Sequence, residues 1–287
     1  MDATLAPASR RVRVRDELEL HIREWAGVAR PFVLVHGLAS NARTWDLVAQ
    51  ELNGLGHHVV AVDQRGHGLS DKPDHGYGFA EVTHDLASLI NELDLDAPVV
   101  AGQSWGGNVV LEFATRYPES LSGLVLVDGG FIELSHGPDG TWERISVELK
   151  PPPLAGTPRA QMLERSRSFH PEWSNEQIEM QLANFETLLD GTIRPWLTLE
   201  RHMMILRALW EQHPSQLYPH VQAPALVAVA DRGAPSWRRQ EALHQLETLM
   251  PRARVQVFPN SVHDMHVDQP VELASWMLEA LDEGYFG

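Results

Sequence analysis

The feature that most constrains this chain is a series of short apolar runs separated by helix-like stretches. The runs are Phe32-Val33-Leu34-Val35, Val59-Val60-Ala61-Val62, Pro98-Val99-Val100-Ala101 and Leu124-Val125-Leu126-Val127, followed much later by Ala225–Val229 and Arg254–Phe258. Short, β-branched segments bounded by turn residues suit strands of a parallel sheet covered on both faces. Between them, Phe79, Val82, Leu86, Leu89, Ile90 and Leu93 fall on one helical stripe. A second stripe, of Leu273, Trp276, Met277 and Leu281, follows Pro270, a residue suited to the first helical turn. This alternation predicts an α/β fold with a mostly parallel, doubly wound sheet. Ahead of it, Arg11–Arg15 and Leu18–Trp25 read as a hairpin turning at Asp16-Glu17. The 287 residues suit one large α/β body carrying an insertion.

The alternation stops between Phe131 and Pro219, where no strand is expected. This stretch holds Pro151-Pro152-Pro153 and two helical patterns. Ser174 and Gln177 form a capping box ahead of Ile178, Leu182, Phe185 and Leu189, and Leu199, Met203, Leu206 and Trp210 repeat that spacing. The expected organisation is a core domain of residues 1–131 and 219–287, with a helical cap at 132–218.

Composition narrows the partners. Net charge is −16, from 23 Lys+Arg against 39 Asp+Glu, so phosphate backbones and anionic lipid are repelled and neither nucleic acid nor membrane is expected. Cysteine is absent, which removes disulfides, thiolate metal sites and a Cys nucleophile together. No H-x-x-x-H pair sits with a third carboxylate ligand on one helix, so no metal is expected. Arg10, Arg11, Arg13 and Arg15 interrupt the first twenty residues with no apolar run between them. Neither a signal peptide nor an anchor is read there, and the expected location is cytoplasmic.

After the run ending at Ala101 comes Gly102-Gln103-Ser104-Trp105-Gly106-Gly107, then a helix-like segment from Asn108 to Tyr117. A nucleophile on a sharp strand-to-helix turn needs small neighbours, and the turn aims a helix N-terminus at developing negative charge. His36-Gly37 ends an earlier strand, so the backbone N–H of Leu38, with that of Trp105, can form an oxyanion hole. The Trp105 side chain, beside the nucleophile, is expected to line the pocket. Asp63-Gln64-Arg65-Gly66-His67-Gly68-Leu69-Ser70-Asp71 follows the next strand, and Ser261-Val262-His263-Asp264-Met265 follows the last. These four motifs, in this order, resemble the α/β-hydrolase superfamily, specifically its cap-bearing esterase-like branch, from about residue 11 to the end.

The resemblance implies that Ser104 is the nucleophile and His263 its base. It places the acid after the strand at Ala225–Val229, in a pattern like G-x-x-D. Here that stretch reads Ala230-Asp231-Arg232-Gly233, with glycine at the acid position and Asp231 two residues early. Some relatives, including lactonases of large macrocycles, use an acid one strand earlier, where this chain has Asp128-Gly129-Gly130. Asp128 is favoured over Asp231, and both keep the order Ser…Asp…His. Asp63, Arg65, His67 and Asp71 are read as a buttress for the floor of the site. A serine nucleophile excludes the dehalogenases and epoxide hydrolases of the superfamily, which use Asp there.

The cap carries Trp142, Phe169, Trp173, Phe185, Trp196, Met203, Met204 and Trp210, some of which would line the pocket, and His202 could face the substrate. The expectation is a serine esterase or lactonase that cleaves a neutral, largely hydrophobic small molecule through an acyl-enzyme, with no cofactor. A diketone-type C–C hydrolase and a hydrophobic-ligand receptor on the same fold are the alternatives, and a homodimer stays open.

Overall fold

The computed structural model describes residues 6–232 and 237–287, with Arg238 by its backbone alone. The chain opens with the hairpin β1 (Ala8–Arg15) and β2 (Leu18–Trp25). Then β3 (Ala29–Val35), α1 (Asp46–Gly54), β4 (His57–Val62), α2 (Phe79–Glu92), β5 (Val99–Gln103), α3 (Trp105–Arg116) and β6 (Gly123–Val127) follow in alternation. The insertion holds α4 (Trp142–Glu148), α5 (Arg159–Phe169), α6 (Asn175–Leu182), β7 (Phe185–Thr187), β8 (Ile193–Pro195), α7 (Leu199–Glu211) and α8 (Pro214–Leu217). Alternation resumes with β9 (Ala225–Ala230), α9 (Trp237–Leu249) and β10 (Ala253–Phe258), and the chain closes with α10 (Met265–Asp268) and α11 (Pro270–Asp282).

Among the described residues, eight strands form one sheet in the order β1-β2-β4-β3-β5-β6-β9-β10. It is parallel except where β2 meets β1 and β4. Successive side chains along each strand serve opposite faces. Val33, Val35, Val60, Val100, Leu124 and Val227 pack with α2 and α3, whereas Phe32, Leu34, Val59, Ala101, Val125 and Leu226 pack with α1 and α11. Both faces are therefore dry, which is why the runs are apolar without alternation.

Register fixes where the loops meet. Val35 lies opposite Gly102, Gly102 opposite Leu126, and Val127 opposite Ala228. The carboxyl ends of β3, β5, β6 and β9 are thus nearly level, and the residues just beyond them share one crevice.

The insertion corrects one expectation. The capping box at Ser174 and Gln177 starts α6, but that helix ends at Leu182 instead of running on to Leu189. Phe185–Thr187 instead pairs antiparallel with Ile193–Pro195, a hairpin where no strand was expected. The cause is local: Asp190-Gly191 is a hairpin turn signal. Gly191 takes φ +79°, and the Asp190 carboxylate accepts both Thr192 N–H at 2.9 Å and its hydroxyl at 2.7 Å. Leu189, placed on the helical stripe by spacing, is fully exposed at the turn. Among the described residues, no helix is long and apolar enough to cross a membrane.

Candidate active site

Ser104 occupies the link between β5 and α3 with φ 54° and ψ −123°, a strained conformation for a residue bearing a side chain. Its neighbours show what the turn demands. A Cβ on Gly102 would lie 2.2 Å from the Gly106 carbonyl oxygen, and one on Gly106 would lie 2.5 Å from the Val35 and His36 carbonyls. Both positions are closed to any side chain, and the helix start is thereby pressed against the end of β3. Gly129, after β6, is as tightly held: a Cβ there would sit 2.1 Å from the Ser104 carbonyl oxygen. Gly129→Ala is expected to cost about 3 kcal/mol by urea unfolding, because backbone has nowhere to yield.

The proposed oxyanion donors flank this serine. Gly37 lies so close that its Cβ would be 3.1 Å from Ser104 Cβ, and Leu38 follows it in a turn closed by Ser40 N–H to the Gly37 carbonyl at 3.3 Å. Across the serine, Trp105 opens α3, where a first-turn N–H has no acceptor within the helix. The turn is held from beneath: His67 Nε2 accepts the Ala39 N–H at 3.2 Å, and its Nδ1–H donates to the Arg65 carbonyl at 3.0 Å. His36 accepts Gln64 N–H at 3.1 Å through Nε2. Burial holds both imidazoles below their ordinary pKa, so they are neutral spacers. Asp63 accepts Ala42 N–H at 2.7 Å, Leu69 N–H at 3.0 Å and His21 Nδ1 at 2.8 Å. Burial opposes its charge, but these bonds prevail and bring its pKa down to about 2. Arg65 is paired with Asp85, and Asp71 with Arg11, so this loop is framework.

One expectation about Trp105 is corrected here. Its ring is buried and stacks on His67 at 5.6 Å between centroids, and it is not among the residues that line the cavity beside Ser104.

Asp128 and His263 meet. His263 Nδ1 lies 2.6 Å from Asp128 Oδ2, and the carboxylate is 3% exposed. Asp128 takes φ 44°, a left-handed conformation that turns its side chain inward off the end of β6. Gln103 Nε2–H bonds the His263 carbonyl at 3.1 Å and so ties the histidine loop to the nucleophile turn. Burial works against the imidazolium, but the hydrogen bond to Asp128 and the charges of Asp264 and Asp128 outweigh it, and the pKa of His263 is raised. Asp231 is exposed, and its contact with the histidine loop is a backbone one, N–H to Ser261 Oγ at 3.3 Å. Gly233, at the family's usual acid position, lies outside the described residues. Ser104 and His263 line one cavity of about 230 Å³, with no hydrogen bond between them; such bonds commonly tighten only with substrate present.

Arg239, on α9, escaped the sequence reading. Its Nη2 bonds Asp128 Oδ1 at 2.5 Å and the Ala230 carbonyl at 2.7 Å. No motif marks it, because it reaches the acid from 111 residues downstream.

Two cavities adjoin through Ala39 and Asn184. The nucleophile's cavity is completed by polar groups including Thr44, Gln181 and Asp264. The second, about 770 Å³, is walled mainly by apolar residues such as Pro151–Pro153, Leu154, Phe185, Trp196 and Leu199, with Lys72, Lys150, Glu186, Arg194 and His202 also in its lining. Of the aromatic residues expected at the pocket, Trp173, Phe185 and Trp196 line these cavities. Trp142 and Trp210 instead face each other at 5.9 Å, and Phe169 is exposed. Among the described residues, no group of three or more His, Cys, Asp or Glu could hold a metal.

Comparison with known proteins agrees with this architecture. Uncharacterized proteins of Mycobacterium tuberculosis and Mycobacterium bovis are 35% identical over 105 residues, 37% of this chain and 30% of theirs, so the match spans under a third of those relatives. N-formylmaleamate deformylase of Pseudomonas putida is 28% identical over 252 residues, 85% of each chain. The crystal structure of E-2-(acetamidomethylene)succinate hydrolase superposes with a TM-score of 0.78 at 22% identity, covering 96% of this chain and 99% of that one. The Alpha/beta hydrolase family profile matches residues 32–276, and with the Ser104 turn and parallel sheet described above, this chain belongs to that family of hydrolases.

Proposed function

We propose that this protein is a serine hydrolase cleaving a carboxylic ester or lactone of a neutral, largely hydrophobic small molecule through an acyl-enzyme. The observation that carries the reading is the Asp128–His263 hydrogen bond at the cavity holding Ser104. Ser104 Oγ attacks the carbonyl carbon while its proton passes to His263 Nε2. The carbonyl oxygen takes up negative charge facing the Leu38 and Trp105 amides. The C–O bond then breaks, the departing oxygen takes the proton from Nε2, and the acyl group stays on Ser104. Water repeats the sequence, giving its proton to His263, and releases the acid. Asp128 keeps Nδ1 protonated so that Nε2 is the basic nitrogen.

The substrate class rests on the walls. No Lys or Arg lines the nucleophile's cavity among the described residues, while Asp264 does, and burial pushes its carboxyl up. An anionic group beside the scissile carbonyl would be desolvated without a partner there. The mostly apolar 770 Å³ space next to it, whose wall also carries Lys72, Lys150 and Arg194, fits a bulky hydrophobic portion, with residues 132–218 acting as the cap that selects it.

A panel of short esters, long esters, lactones, diketones and N-formyl amides decides the reading. Steady turnover of esters or lactones, best on bulky neutral ones, is expected. Preferred cleavage of diketones would make the enzyme a C–C hydrolase, and preferred cleavage of an anionic N-formyl compound would align it with the deformylase. A single burst followed by stable covalent occupancy would favour the receptor reading. The pH profile adds a second check. The base must be neutral, and the pKa of His263 is raised. Activity is therefore expected to fall, as pH drops, at a midpoint above the ordinary histidine value of about 6.5. A kcat/KM profile with its acid limb at or below that value would contradict the assignment of His263.

A further inference from the structure

We propose that Arg239 is a positioning residue of the triad, which fixes the Asp128 carboxylate from the side opposite His263 and draws off part of its charge. The inference rests on the triad reading above. The two carboxylate oxygens are divided between partners. Oδ2 faces His263 Nδ1 at 2.6 Å, whereas Oδ1 takes Arg239 Nη2 at 2.5 Å and the Ala230 N–H at 3.1 Å. With two donors on one oxygen the carboxylate plane is held, and with it the position from which the other oxygen accepts from His263. Arg239 is itself held, through Nη2 to the Ala230 carbonyl at 2.7 Å and with its guanidinium 5.7 Å from the Phe131 ring. It leans on the triad acid from a helix that the nucleophile and histidine loops do not share.

A fixed cation beside the acid has an electrostatic consequence. Among the described residues, the charged and titratable groups around the pair include Asp264 on the histidine loop, Glu133 and His136 beyond β6, and Glu241 with Arg239 on α9. His266 stands nearby, held below its ordinary pKa by burial. Arg239 opposes the protonation of His263, while Asp264 and Asp128 favour it.

The test compares Arg239→Gln, Arg239→Met and Arg239→Lys in the full chain, on the best ester or lactone of the panel, with Ser104→Ala alongside. In whichever neutral variant folds by circular dichroism, kcat is expected to fall about 10–100-fold, as for a slightly misplaced catalytic group, with KM within about twofold. The acid limb of kcat/KM is expected to move to higher pH. Arg239→Lys keeps the charge but not the guanidinium geometry that reaches both Asp128 Oδ1 and the Ala230 carbonyl, so it is expected to hold the wild-type limb with kcat lowered a few-fold. Wild-type kcat and an unmoved limb in a folded neutral variant would overturn the role of Arg239, while an inactive Ser104→Ala leaves the triad standing. Should neither neutral variant fold, Arg239→Lys decides: a displaced limb at wild-type kcat overturns the proposal. Turnover surviving Ser104→Ala would instead strike at the triad itself.

Discussion

Ser104→Ala is expected to lower kcat by about 10⁴-fold or more while leaving the fold intact. The size follows from the chemistry. Without the hydroxyl there is no atom to carry the acyl group, and what survives comes from carbonyl polarisation by the Leu38 and Trp105 amides and from binding. The structural cost is small for specific reasons. Ser104 Oγ has no hydrogen bond to lose among the described residues, and alanine keeps the Cβ that the φ 54° turn already accommodates. The thermal midpoint should therefore stay within about 2 °C of the wild type. Steady-state turnover on the best panel substrate, read beside a melting curve, separates the two effects. A folded variant retaining more than about one hundredth of wild-type kcat would remove Ser104 from the chemistry.

Much of this site could be read from the sequence because its constraints are local. Continuous apolar runs have few homes other than a doubly covered sheet, and they became β3–β6 and β9, while Arg254–Phe258 became the edge strand β10, which is largely exposed. The glycines around Ser104 fit one spacing pattern: a Cβ on Gly102 would lie 2.2 Å from the Gly106 carbonyl oxygen within the same turn, and one on Gly106 2.5 Å from the end of β3. What stayed hidden depends on distance along the chain or on direction. Asp128 and Asp231 each stand just past a strand end, and composition cannot separate them. The left-handed φ of Asp128 turns its carboxylate inward, whereas the chain carries Asp231 outward to solvent. Arg239 lies on a helix whose sequence shows no strong apolar stripe, and nothing local announces that it reaches β6. The hairpin at Asp190-Gly191 differs from these. Its turn signal is present in the sequence, but a helical spacing running from Ile178 to Leu189 by coincidence pointed the other way.

The acid of the triad carries the other large effect. Asp128→Asn is expected to lower kcat by about 10⁴-fold, because an amide NH₂ turned toward His263 favours the tautomer with its proton on Nε2, where the base is needed. Asp128→Ala should cost as much activity and, in addition, stability. Arg239 is 28% exposed beside a carboxylate that is 3% exposed, and removing that partner leaves a partly buried cation, a change that costs about 3 kcal/mol when burial is complete and less here. Asparagine keeps an oxygen for Arg239 and should spare most of that stability, so the pair of variants separates catalysis from support. Asp231→Ala is the control, since its carboxylate is exposed, and both kcat and unfolding free energy should stay close to wild type, the latter within about 0.5 kcal/mol. The opposite pattern, with Asp231→Ala inactive and Asp128→Asn near full turnover, would move the acid to β9. For the Asp231 carboxylate to replace Asp128 at His263, the chain after Ala230 would have to turn inward. There the buried Asp128 carboxylate already accepts both the Ala230 N–H and Arg239, so catalysis through Asp231 would require a fold other than this one.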